Sequence, residues 1–115
     1  MIPIQIKKII FFVLVYTILS TQKFTKKFEK FDNSIKSRFY KHQIRLKDSP
    51  LDYGRPLGVD WIREIKIQKF RFYYVVFKEK VMMLWTDISE KKNQQEIIEF
   101  IKDNILLLKE YVDKL

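Results

Sequence analysis

No cysteine occurs in the 115 residues, and histidine occurs once, as His42. The first absence excludes a disulfide framework, a thiolate metal site and a cysteine nucleophile. The second leaves nothing from which to build a His-based triad and little for a metal, so neither metal nor cofactor is expected. Any catalysis must then rest on Lys, Arg, Tyr, Asp or Glu. Glycine is almost as scarce. Both glycines, with two of the three prolines, fall in Asp48–Asp60 (DSPLDYGRPLGVD), which marks that stretch as the main loop. There is no apolar run long enough to cross a bilayer. The longest, Ile9–Leu19, follows Lys7 and Lys8 in the manner of a secretory signal, but Ser20-Thr21-Gln22-Lys23 after it offers no small-x-small cleavage site.

What is present is apolar and aromatic: 47% hydrophobic and 16% aromatic residues, including ten Phe and six Tyr. That is ample for one core, and the length suits one domain spanning residues 1–115. The Val, Ile, Phe and Tyr of Ile9–Leu19 suit a central buried strand better than a membrane anchor, so stable membrane insertion is not expected and the location is read as cytoplasmic. Phe24, Phe28, Phe31, Ile35, Phe39 and Leu46 recur mostly at steps of three or four, with lysines and arginines between them. This predicts amphipathic helices with a basic outer face, divided into a hairpin at Asp32-Asn33-Ser34, which is good N-cap chemistry. Three strands are predicted after the loop: Trp61–Gln68, Phe70–Phe77 and Val81–Ile88. Alternation places Arg63 with Trp61 and Ile65, and Arg71 with Tyr73 and Val75. Ile97, Ile101, Ile105, Leu108, Val112 and Leu115 predict one helix over Asn93–Leu115.

Charge is spread unevenly. The total is +9; residues 21–50 carry nine basic and three acidic side chains, whereas residues 93–115 carry three basic and five acidic. A basic body of this kind attracts polyanions, of which nucleic acid is the commonest, through counterion release. The plainer reading is a solvated lysine-rich surface.

The order strand, helical hairpin, three-stranded antiparallel meander joining the first strand in one sheet, and C-terminal helix defines an α+β class. Several segments carry a resemblance on that order: KFTKKFEKF at 23–31, LKDSP at 46–50, GRPLG at 54–58, IREIKI at 62–67, FRFYYVV at 70–76 and VMMLWTDISEKKNQQEI at 81–97. In this order and spacing the chain resembles the RelE/ParE toxin superfamily, in particular its HigB-like and phage-derived Gp49-like branch. The resemblance implies a RelE-like fold and the toxin component of a toxin–antitoxin system: a metal-independent endoribonuclease (mRNA interferase) acting on mRNA, on the ribosome or free of it, and held by a cognate antitoxin protein.

The resemblance also implies site residues. Arg71, Lys91 and Lys92 match the catalytic basic positions, with Arg71 as the phosphate clamp. Arg63, Lys66, Lys69, Tyr74 and Arg55 are expected to contact RNA. One departure is plain, since the tyrosine that follows the basic residues in well-known members is absent: Asn93, Gln94, Gln95, Glu96 and Ile97 follow Lys92, and the next tyrosine is Tyr111. Structural alternatives stand beside these roles. Arg71 would equally serve in a cross-strand ion pair with Glu64 or Asp87. Lys91-Lys92 at a helix start oppose the macrodipole, which asks for a reason beyond solvation. His42 reads as surface, Trp61 and Trp85 as core. A ParE-like topoisomerase poison and a non-catalytic nucleic-acid-binding module are the alternative functions.

Overall fold

The structure, a computed structural model, describes residues 15–114. Its elements are β1 (Thr17–Ser20), α1 (Gln22–Glu29), α2 (Asn33–Leu46), the single turn α3 (Pro50–Tyr53), β2 (Arg55–Pro56), β3 (Ile62–Ile67), β4 (Phe70–Phe77), β5 (Met82–Glu90), α4 (Gln94–Asp103) and α5 (Ile105–Asp113). The strands form one sheet in the order β1-β5-β4-β3-β2. Helices cover both of its faces: the α1–α2 hairpin one, and the C-terminal α4 and α5 the other. The α+β class and the meander are as the sequence predicts.

Local chemistry explains the boundaries. The Thr21 hydroxyl caps α1 by accepting from the Phe24 amide, and the Asp32 carboxylate caps α2 by accepting from Ile35, where the hairpin was expected to turn. The hairpin layer is aromatic. Phe24, Phe39 and Trp85 pack on one another, with ring centroids 4.7–5.8 Å apart, over Phe72 and Tyr74 of β4. The opposite layer is aliphatic: Ile97, Ile98 and Ile101 of α4 lie on Leu57, Ile62, Tyr73 and Val75.

Four expectations are corrected. The first strand is not central. β1 is a four-residue edge strand running parallel to β5 (Thr17↔Met82 to Ser20↔Trp85), and the central positions go to the longer strands β4 and β5, which are buried on both faces. The rest of the predicted strand, residues 9–14, lies outside the described residues. Trp61 does not share a face with Arg63: it precedes β3 and packs with the α4 layer, while Ile65 joins the hairpin layer. The tail is two helices, broken at Asn104, whose side chain turns back to donate to the Phe100 carbonyl (2.8 Å). As a result Val112 is buried, and Asp113 pairs with Lys80 in the β4–β5 connection. His42 is not an idle surface group. It is half-buried, its Nδ1 lies 2.6 Å from the Tyr53 hydroxyl, and burial together with the neighbouring Arg45 holds its pKa below the ordinary value.

A β-bulge between Tyr73 and Tyr74 shapes the site. Tyr73 pairs with Asp87 but Tyr74 pairs with Trp85, leaving Thr86 as the extra residue. Strict alternation would keep Trp85 and Asp87 together. The bulge separates them, sending Trp85 into the hairpin core and Asp87 to the face of Tyr73. There Asp87 accepts from Lys27 (2.6 Å) and pairs with Lys23 (3.1 Å), so α1 is latched along the β5 edge beyond β1. No helix among the described residues is long and apolar enough to cross a membrane.

Candidate nucleic-acid interface

On the sheet face under α4, register arranges the side chains in three cross-strand rows. The first is apolar, Ile62 opposite Val75 opposite Leu84. The second is Glu64, Tyr73 and Asp87, extended at the β2 edge by Arg55, which pairs with Glu64. The third is Lys66, Arg71 and Ser89. The face therefore grades from hydrophobic to basic along the strands. It ends at the turn where Lys69 sits and at the 3-10 turn Lys91–Asn93, whose two lysines are exposed.

Arg71 is the centre of this end. It is only 8% exposed, and its Nη1 donates to Glu64 Oε1 at 2.9 Å, so the cross-strand ion pair weighed from the sequence exists. Glu64, itself 2% exposed, is held at both oxygens. Gln94, the first residue of α4, donates to Oε2 at 2.7 Å, and Arg55 approaches Oε1 at 3.9 Å. The Arg71 Nε is the one buried side-chain polar atom without a hydrogen-bond partner among the described residues. A buried unpaired N–H is costly, and the Nε–Nη2 edge of a guanidinium is shaped to take two oxygens of one anion.

Arg63 gives the contrast. The same edge of its guanidinium is filled, Nε (3.1 Å) and Nη2 (2.5 Å) both donating to the Gly54 carbonyl, while Nη1 reaches the Asp60 carbonyl at 3.1 Å. Tyr74 lies beside it on the hairpin face, donating to the Pro50 carbonyl (2.7 Å) and accepting from the Gly54 amide (3.1 Å). Both side chains are buried. Of the residues expected to touch RNA, Arg63 and Tyr74 are thus removed from the Arg71 face and consumed in holding the Gly54 loop. Arg55, Lys66, Lys91 and Lys92 join Arg71 at one end of the sheet. Lys69 is at that end too, but it leans toward the hairpin side, 3.6 Å from Glu90 and over the Phe70 ring. That contact also draws the Glu90 charge away from the neighbouring lysines.

The sequence reading missed three members of the site, Tyr73, Ser89 and Gln94, and named Glu64 only as an ion-pair partner for Arg71. Tyr73, not Tyr74, is the tyrosine on the Arg71 face. Its hydroxyl lies 2.9 Å from Ser89 Oγ, and burial pushes its pKa up. Alternation from Arg71 already held that signal. Among the described residues no group of three His, Asp or Glu side chains converges as a metal site would require.

Comparison with known proteins agrees with the geometry at the level of fold. No protein-family model matches the chain, and no curated protein does. Solved structures do. A doubly substituted E. coli RelE toxin in the free state superposes with a TM-score of 0.65 at 18% identity, covering 77% of this chain and 97% of that one. The intact E. coli RelBE toxin–antitoxin complex gives 0.58 at 19% identity over 65% and 95%. The RelBE2 complex of Mycobacterium tuberculosis gives 0.57 at 17% over 68% and 93%.

Proposed function

We propose that this chain, whose fold is RelE-like, is the toxin of a toxin–antitoxin pair and that it cuts RNA without a metal. The observation that carries the reading is the half-used guanidinium of Arg71: buried, pinned by Glu64 on one side, and unpartnered on the edge that suits a phosphate. Exposed Lys66, Lys91 and Lys92 stand at the same end to meet the flanking backbone. In the reaction the RNA 2′-oxygen attacks the adjacent phosphorus, the bond to the 5′-oxygen breaks, the 2′-hydroxyl proton is lost and the departing oxygen gains one. The products are a 2′,3′-cyclic phosphate and a 5′-hydroxyl. Charge gathers on the phosphoryl oxygens along the way, and pre-positioned guanidinium and ammonium groups lower that barrier. The RelBE complexes among the similar structures support an antitoxin as the protein partner.

The test is induced expression of the chain in a host cell beside the Arg71→Ala, Lys91→Ala double variant. Growth arrest by the parent and its relief by a variant with unchanged circular dichroism are expected. A folded double variant as toxic as the parent overturns the site. Purified protein that binds single-stranded RNA tightly but leaves it uncut overturns the nuclease and leaves a binding module.

A further inference from the structure

The C-terminal helices bring no cationic excess to the basic end of the sheet, since residues 93–115 hold five acidic and three basic side chains. Yet their first helical residue reaches the centre of the site. Gln94 Nε2 donates to Glu64 Oε2 at 2.7 Å, and the other oxygen of the same carboxylate accepts from Arg71 Nη1 at 2.9 Å. We infer that Gln94 is a positioning residue: acting through Glu64, it sets the guanidinium of Arg71 so that the Nε–Nη2 edge is presented to a phosphodiester. This rests on the reading of Arg71 as a phosphate contact and adds the device that tunes it.

Three observations support the relay. Glu64 is almost fully buried, so water does not replace Gln94 freely when that bond is lost. Besides Gln94 and Arg71, the one group on the Glu64 side chain among the described residues is Arg55, which is 3.9 Å away and 71% exposed, too distant and too solvated to replace Gln94. The Arg71 Nε has no partner of its own among the described residues, so Glu64 is what fixes the direction of the guanidinium. The far end of the tail is anchored as well, by buried Val112 and by the pairing of Asp113 with Lys80. A partner that shifts α4 would therefore change the anion site without touching a cation.

The experiment measures the affinity of the full chain for single-stranded oligothymidylate, which has no 2′-hydroxyl to react, at fixed salt. Gln94→Met keeps the volume and the helix while removing the donor. It is expected to weaken binding about fivefold, less than the roughly tenfold or more that direct loss of a hydrogen bond to a charged group costs, because the effect reaches the phosphate only through Glu64 and Arg71, and to have no further effect when Arg71→Ala is already present. As a second readout, the Arg71 Nε–H resonance should exchange faster with solvent in Gln94→Met. Should Arg71→Ala itself leave affinity unchanged, the phosphate reading of Arg71 falls. If Arg71→Ala weakens binding but Gln94→Met does nothing, or adds its full effect on top of Arg71→Ala, the relay alone is overturned.

Discussion

Arg63 and Arg71 lie eight residues apart on neighbouring strands, and their guanidinium groups have opposite uses. Arg63 spends its donors on the carbonyls of Gly54 and Asp60, so Arg63→Met should lower the unfolding free energy by about 2–3 kcal/mol in urea melts and leave RNA affinity unchanged. Gly54 is confined by the same knot. A Cβ there would meet the Tyr74 hydroxyl and lie 2.8 Å from the Glu64 carbonyl oxygen, so Gly54→Ala should cost roughly 1–3 kcal/mol by overpacking. His42 supplies a pH dependence. Burial lowers its folded-state pKa below 6.5, so the unfolded chain binds the proton more readily. Its contribution is intact above pH 6.5 and is lost as pH falls toward the lowered folded value. Melting temperature should drop from pH 7.5 to 5.5, and His42→Gln should remove that part of the drop. At this scale the sequence was legible wherever simple alternation holds, as for Arg71 with Tyr73. It misled at Trp61, which precedes its strand, and it offered Asp87 as a partner for Arg71, whereas Asp87 lies past a bulge that no residue type announces and pairs with Lys23 and Lys27.

At the scale of elements, β4 is found where its pattern predicts, Phe70–Phe77, because a run that is apolar or aromatic except for Arg71, set between polar turns, has no other way to be buried. The hairpin followed from capping chemistry at Asp32. The tail did not, since the step from Ile101 to Ile105 keeps helical spacing across Asn104 and the apolar stripe hides the break. What decides it is the Asn104 side chain, which takes the Phe100 carbonyl and turns α5 so that Val112 docks. Truncation after Lys109 should consequently destabilise the fold. Loss of buried Val112 alone is worth about 1.5–3 kcal/mol. The measurement is a thermal melt of the shortened chain, and an unchanged midpoint would show that α5 is dispensable.

For the whole molecule, the cations form two fields. One is the end of the sheet around Arg71; the other is the outer side of the α1–α2 hairpin, where Lys26, Lys30, Arg38 and Lys41 are all exposed. If about five basic side chains neutralise phosphates of a single strand, log affinity against log salt should fall with a slope near −3.5. Titrations across a salt series test this, and a flat profile would remove nucleic acid as the partner. The basic character of the chain was legible in the sequence. Its division between two opposite faces was not, because that depends on which helices cover which side of the sheet.

The parallel pairing of β1 with β5 bears on how the chain assembles in time. Thr17 meets Met82 and Ser20 meets Trp85, so the sheet edge closes only after nearly the whole intervening chain has been made and ordered. Such a long-range closure loses much entropy before any contact rewards it. The β4–β5 hairpin, joined by one short turn, is the natural nucleus, and β1 docks after the transition state. Leu19→Ala should thus speed unfolding and leave the refolding rate nearly unchanged, whereas Val75→Ala should slow refolding, both read from denaturant chevrons. A chain still being synthesised therefore holds its N-terminal strand without a partner until β5 has left the ribosome, and for that interval an unpaired edge is open to whatever strand reaches it first.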